Sequence, residues 1–168
     1  TPATSDVAVQ PVNRYWCSPY PTPAPLPLSF DAVPYLDETV GFELSYPAAW
    51  SVSSPTTLGD RADLVEFTAP DGSILSLTIY RWDPAGDLAA YTAQRRLAWE
   101  ASGIVILEEQ SLLLVSGLPA AGFLIQASDG AQAYLFYVPV ADRYLEFSGT
   151  VAPELVTEIV STVRTTDE

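Results

Sequence analysis

Proline occupies every second position from Pro19 to Pro27, and this alternation limits the possible folds more than any other feature of the chain. Each proline fixes its own φ and removes a backbone donor, and it pushes the preceding residue into an extended conformation. This stretch must therefore be extended, and it cannot be a central strand. Residues 1–34 hold eight of the fifteen prolines. We therefore predict an extended Pro-rich N-terminal arm over residues 1–34 and a globular domain over residues 35–168.

The arm also carries apolar side chains, which need a surface to pack on. Thirty extended residues span roughly 100 Å, whereas a globule of this size is only about 35–40 Å across. The arm is therefore long enough to wrap its own domain or to reach a neighbouring subunit. Its Ser, Thr and Pro content is also typical of stalks with O-linked glycans. The candidate assembly residues are Val7, Val9, Val12, Tyr15, Trp16, Tyr20, Leu26, Leu28 and Phe30.

The location of the protein is predicted from its first residue, from the absence of Met and from the arm. The chain starts at Thr1 and contains no Met, so we expect a mature secreted or cell-surface protein whose signal peptide has been removed. Cys17 is the only cysteine, and it forms either an intermolecular disulfide or a thiol buried against Trp16 and Tyr20. No apolar run approaches the roughly 20 residues that a membrane-spanning helix needs.

Charge and composition exclude several classes of function. The 21 acidic residues outnumber the 7 basic ones and give a net charge of −14, which repels nucleic acid. The chain has no His and no Lys, so imidazole and amine bases are not available for catalysis. No phosphate-binding glycine loop occurs either. We expect a protein that is not an enzyme and has no cofactor.

Two weak ligand sites remain. Pairs of loop acids could bind calcium, although solvated acids are the more ordinary interpretation. The aromatic residues Tyr80 and Trp82, on either side of Arg81, could form a platform for a sugar or a peptide. The calcium candidates are Asp60 with Asp63, and Asp83 with Asp87.

The remaining pattern predicts strands and two helices. Residues 42–46 alternate as a half-buried strand does, and residues 69–72 form a turn between strands at 64–67 and 73–81. Further strands are expected at 104–107, 112–115, 121–126, 132–138 and 144–148. Short turns between strands indicate an antiparallel sheet.

Each predicted helix has an apolar stripe that must be buried on that sheet. The first begins at the cap Asp87 and ends near Ser102, before Gly103, and the second begins at Pro153. The predicted stripe of the first helix is Leu88, Tyr91, Ala98 and Trp99, with Leu97 beside it. The expected fold class is therefore α+β, an antiparallel sheet flanked by helices.

Two segments resemble a known family. Residues 41–52, from Gly41 through Tyr46, Pro47 and Trp50 to Val52, resemble the opening of PsbP-like domains, which include the photosystem II extrinsic protein PsbP and bacterial secreted or lipoprotein relatives. Residues 115–121 resemble the turn before the central hairpin of that family. The resemblance covers residues 35–165 and implies an α/β/α sandwich with a non-catalytic binding or assembly role. It carries over no functional residue and implies no photosynthetic role.

Three functions stay open at this point. The first is a secreted structural protein that forms a homo-oligomer or filament as its arm packs on a neighbouring subunit. The second is a monomeric extracytoplasmic accessory domain that binds a partner protein complex. The third is a glycan hydrolase that uses paired carboxylates, although Glu108 and Glu109 point to opposite faces of their predicted strand and make a poor pair.

Overall fold

The computed structural model describes residues 21–24, 27–81 and 87–166. The described residues form strands and two helices. In chain order these are β1 (Thr22–Pro23), β2 (Ala32–Asp37), β3 (Phe42–Pro47), β4 (Ser51–Val52), β5 (Thr56–Leu58), β6 (Ala62–Thr68), β7 (Ile74–Arg81), α1 (Leu88–Ala101), β8 (Val105–Leu113), β9 (Pro119–Gln126), β10 (Gln132–Val140), β11 (Arg143–Gly149), α2 (Pro153–Ser161) and β12 (Arg164–Thr165).

The described strands form a large main sheet and a small one. The main sheet has the order β1-β8-β9-β10-β11-β7-β6-β4, with β5 also paired to β6, and the small sheet has the order β12-β3-β2. Hairpins with short turns join most neighbours, so the pairs are antiparallel, as the sequence predicts. The exception is β1, which pairs with β8 in parallel. The predicted α+β architecture is confirmed.

The main sheet is covered on both faces. Helix α1 covers one face, where Tyr91 and Trp99 pack against Phe123, Tyr137 and Tyr144. Helix α2 and the small sheet cover the other face. The largest fully buried side chains on that second face are Phe42, Leu44, Phe67, Leu75, Leu77, Ile79, Phe136, Leu145, Phe147 and Ile159. Two cores therefore lie on opposite sides of one sheet, as the strand alternation requires.

Helix α1 has the predicted ends but a different buried face. The side chain of Asp87 accepts a hydrogen bond from the backbone N–H of Ala90 at 2.9 Å, and Gly103 ends the helix region at a φ of 74°. The prediction that Leu97 and Ala98 lie on or beside the buried stripe is wrong. Leu97 is 66% exposed. Tyr91 and Trp99 face the sheet, and at 3.6 residues per turn Leu97 then lies on the opposite side of the helix.

Strand β8 is continuous where the sequence predicts two shorter strands. Its register against β9 shifts between Ile106 and Glu108, which marks a β-bulge at Leu107. Glu109 forms an ion pair with Arg96 on the α1 side, and Glu108 lies near Tyr134 on the other side. The two acids therefore point to opposite faces, as predicted.

Candidate binding groove

A groove of about 770 Å³ opens where the small sheet, the end of α2 and the turn between β8 and β9 meet. This is within the range of sites that hold a ligand or a few side chains of a partner. Three separate parts of the chain form it. Its lining residues are Leu36, Glu43, Val115, Ser116, Ser161, Thr162, Arg164, Thr165 and Thr166.

One row of side chains across the small sheet forms a wall of the groove. Leu36 of β2 pairs with Glu43 of β3, and Glu43 pairs with Arg164 of β12. The Arg164 Nη2 lies 3.0 Å from the Glu43 Oε1. The two opposite charges neutralise each other within the wall, so the groove presents little net charge to a ligand.

Two large apolar side chains stay in contact with solvent at the groove. Leu36 is 49% exposed and Val115 is 63% exposed. Single exposed apolar residues are ordinary on protein surfaces, but apolar residues gathered in a concave site with a polar rim mark interaction surfaces. Leu36 and Val115 are therefore the groove residues whose burial by a bound partner would remove the most apolar surface from water.

Hydroxyl groups fix the walls of the groove. The Ser116 Oγ donates a hydrogen bond to the Val163 carbonyl at 2.7 Å, which ties the β8–β9 turn to the chain after α2. The Thr162 Oγ1 accepts from the Ser45 backbone N–H at 2.8 Å, which ties the end of α2 to β3. Because these hydroxyls bond within the protein, the groove is held open in a defined shape.

A second polar cluster is buried beneath α1. The Tyr137 hydroxyl of β10 donates to the Glu146 Oε2 of β11 at 2.5 Å, and the Arg95 Nη2 of α1 lies 3.7 Å from the same oxygen. Tyr137 is 0% exposed and Glu146 is 9% exposed. Burial, and then the charge of Glu146, raise the pKa of Tyr137, so its hydroxyl stays protonated and remains a donor. This cluster fastens α1 to the sheet.

The proposed aromatic platform lies beside this buried cluster. Tyr80 is half-buried and packs against the core under α1, and burial is the main cause that raises its pKa. Tyr91 and Tyr144 stack in the same core, with ring centroids 4.0 Å apart. Trp82 lies outside the described residues, so a platform that pairs it with Tyr80 stays a prediction.

The calcium candidates are spread over three places. Asp60 lies in the turn between β5 and β6, Asp63 lies in β6, and Asp87 caps α1. Asp83 lies outside the described residues. Within the described ranges, no group of three or more His, Cys, Asp or Glu side chains is arranged to hold a metal ion. Calcium binding stays a prediction that the geometry does not favour.

Two of the nine assembly residues lie in the described part of the arm. Phe30 packs against the core on the α2 side and Leu28 is half-buried. Between them, the Ser29 Oγ donates to the Glu158 Oε2 of α2 at 2.6 Å. This part of the arm therefore contacts its own domain. The residues outside the described part are Val7, Val9, Val12, Tyr15, Trp16, Tyr20 and Leu26, together with Cys17.

The architecture places the chain among proteins of known fold. A β-sheet with one helix on one face, and a second helix with a small sheet on the other, is a PsbP-like fold, as the sequence predicts. A solved structure that shows this is the solution structure of cyanobacterial PsbP (CyanoP) from Synechocystis sp. PCC 6803, with a TM-score of 0.59 over 80% of this chain and 92% of that chain.

The sequences of the two proteins have diverged far more than their folds. They are 15% identical, so the likeness shows the fold alone. No family model matches the chain, and no curated protein matches it. Among the described helices, none is long and apolar enough to cross a membrane.

Proposed function

We propose that this chain is a non-enzymatic, extracytoplasmic accessory domain that binds a partner protein through the groove. The observation that carries the proposal is the exposure of Leu36 (49%) and Val115 (63%) in one concave site. A partner that covers both side chains removes apolar surface from water, which is worth about 25 cal/mol for each Å² buried. The PsbP-like resemblance, which implies a binding or assembly role, supports the same function.

The chemistry of the groove indicates what the partner presents to it. Glu43 and Arg164 already neutralise each other, and Ser116 and Thr162 already bond within the protein. The groove therefore favours an apolar side chain from a loop or an extended segment of the partner over a charged ligand. Recognition by one inserted apolar residue, with a polar rim around it, is common at protein interfaces.

The self-assembling structural protein remains the main alternative. The contacts of Phe30 and Ser29 with their own domain favour the accessory domain, but residues 1–20 lie outside the described part of the chain. Light scattering on the full chain and on a chain that starts at Pro21, which keeps β1, separates the two. If both are monomers at high concentration, the accessory domain is supported. Large particles from the full chain alone would support assembly through residues 1–20 and contradict our proposal.

Site-specific photo-crosslinking tests the groove directly. A photoreactive amino acid replaces Val115, and a matched variant carries it at Leu97, which is 66% exposed on α1 at the opposite face of the sheet. Both variants are incubated with the extracytoplasmic fraction of the source organism. We expect one discrete protein to be linked through position 115 and not through position 97. Equal labelling at both positions, or none at position 115, would show that the groove is not the binding surface.

A substitution in the same groove gives a second measurement. Once the crosslinked partner is purified, Val115→Asp should weaken its binding at least tenfold, because a charge then replaces the apolar contact. Leu97→Asp should leave the affinity unchanged. Isothermal titration calorimetry gives both affinities, and equal affinities for the two variants would rule out the groove as the contact surface.

A further inference from the structure

The outer edge of β8 is closed over only a small part of its length. Strand β1 pairs with β8 at Leu112 and Leu113. In the described ranges, no other strand pairs with that edge from Val105 to Ser111. Val105 is 57% exposed and Leu107 is 37% exposed along this open stretch. A row of unpaired backbone groups next to apolar side chains is a template for one more strand.

The direction of β1 determines which part of the chain is nearest to this open edge. Thr22 is opposite Leu112 and Pro23 is opposite Leu113, in parallel register. Because the pair is parallel, an N-terminal extension of β1 would run along the remaining edge of β8 from Ser111 toward Val105. A strand that extended β1 toward the N-terminus would therefore continue an interface that already exists.

The positions of the prolines match an edge strand that pairs on one side only. The backbone N–H of Ala24 donates to the Leu113 carbonyl at 3.2 Å, so this N–H points toward β8. Successive N–H groups of a strand point in opposite directions. In β1, and in any strand that continued it, even-numbered residues would therefore point their N–H toward β8 and odd-numbered ones outward. Pro19, Pro21 and Pro23 are all odd-numbered, so the absent N–H would cost no pairing in such a strand. The even-numbered residues from 16 to 22 are Trp, Ser, Tyr and Thr, and all four keep a donor.

We propose that the open edge of β8 is the docking surface for residues 15–20 of the same chain. Each residue of β1 is opposite the β8 residue numbered ninety higher. If the same register continues, Tyr15 is opposite Val105 and Tyr20 is opposite Gln110. Six residues at about 3.3 Å each cover roughly 20 Å of edge. Pro19 of the docked segment, together with Pro21 and Pro23 after it, would leave few outward donors for a further strand, so the sheet edge would be closed by the same chain. The proposal does not depend on the groove.

The single cysteine of the chain makes this docking measurable. The same register sets Cys17 opposite Leu107, and the bulge at that residue can shift the pairing by one position. Two variants are therefore made, Leu107→Cys and Glu108→Cys. Paired strands bring Cα atoms to about 5 Å, which is within the range that a disulfide bridges. Thr57→Cys is the matched control, because Thr57 is exposed on β5, which pairs with β6 at the far side of the same sheet.

The variants of the full chain are oxidised mildly and analysed by non-reducing electrophoresis and peptide mass spectrometry. We expect an intrachain disulfide from Cys17 in at least one of the β8 variants, a monomeric product, and no such link in the Thr57→Cys control. A disulfide-linked dimer through the β8 cysteine would show that a second copy occupies the edge, and it would overturn the proposal. So would free thiols in both β8 variants, or equal linkage in the control.

Discussion

Replacing Tyr137 by Phe removes one hydroxyl from the cluster under α1 and leaves its ring in place. Because the hydroxyl donates to the Glu146 carboxylate at 2.5 Å, the change leaves that buried group with Arg95, whose Nη2 is 3.7 Å away. A hydrogen bond to a charged group contributes about 1.5–3 kcal/mol. No cavity larger than the hydroxyl is created. We therefore expect the free energy of unfolding to fall by about 2 kcal/mol.

Urea denaturation followed by far-ultraviolet circular dichroism measures this loss at neutral pH. For a chain of 168 residues, about 2 kcal/mol corresponds to a decrease in Tm of roughly 4–8 °C. Tyr46→Phe is the control, because Tyr46 is half-buried and its ring packs against Phe67 at a centroid distance of 5.2 Å. The control should change the free energy of unfolding by less than about 0.5 kcal/mol.

A double-mutant cycle with Glu146→Gln separates the hydrogen bond from other effects. If the contact between the two side chains is what stabilises α1 on the sheet, the two changes should be non-additive by about 1 kcal/mol or more. Additive losses, or a loss for Tyr137→Phe no larger than that of the Tyr46→Phe control, would refute the reasoning. The contact would then be close in space without contributing to stability.

Three further perturbations follow from the structure. Gly149→Ala should lower the free energy of unfolding by roughly 3 kcal/mol or more, because Gly149 has a φ of 147° and an added Cβ would lie 2.0 Å from the Ile74 carbonyl oxygen. Gly72→Ala has open space around the added Cβ and should cost only about 1 kcal/mol. Urea denaturation measures both losses. Asp87→Ala should cost about 1 kcal/mol and speed hydrogen exchange in the first turn of α1. Burial raises the pKa of Tyr35 to about 12, so near pH 10 only the unfolded chain loses the Tyr35 proton. The free energy of unfolding should therefore fall as pH rises from about 10 toward 12, and unfolding followed by circular dichroism at each pH measures it. Equal losses for the two glycine variants would contradict the first prediction, and unchanged hydrogen exchange in Asp87→Ala would contradict the second. A free energy of unfolding that does not change between about pH 10 and 12 would contradict the third.

The ends of the helices could be predicted from sequence because local chemistry determines them. Asp87 caps α1 and Gly103 follows its end whatever the rest of the chain does. Strand β8 shows where local pattern fails, because its polar middle is stabilised by distant partners such as Arg96, which pairs with Glu109. The buried face of α1 was misjudged at Leu97 for a related reason, since the sheet beneath the helix decides which side is covered.

The groove gave no local signal in the sequence. Its walls come from residues near 36–43, 115–116 and 161–166, and only the register of the small sheet brings Leu36, Glu43 and Arg164 into one row. The buried cluster did leave a trace, because Glu146 is a lone acid inside the apolar strand β11. An acid at a buried position requires a partner, and this reasoning could have singled it out.

The outward prolines of β1 have a consequence for degradation. Many proteases bind a substrate as an extended strand and hold it by main-chain hydrogen bonds, in the way that a peptide adds to a sheet edge. Pro23 of β1, and Pro21 just before it, present no donor on the side that faces away from β8, and Ala24 already gives its own N–H to Leu113. Limited digestion should therefore spare the bonds around β1 and cut elsewhere in the chain first. Residues 21–24 would then be among the longest-lived parts of the molecule, although they belong to the proline-rich stretch of the sequence.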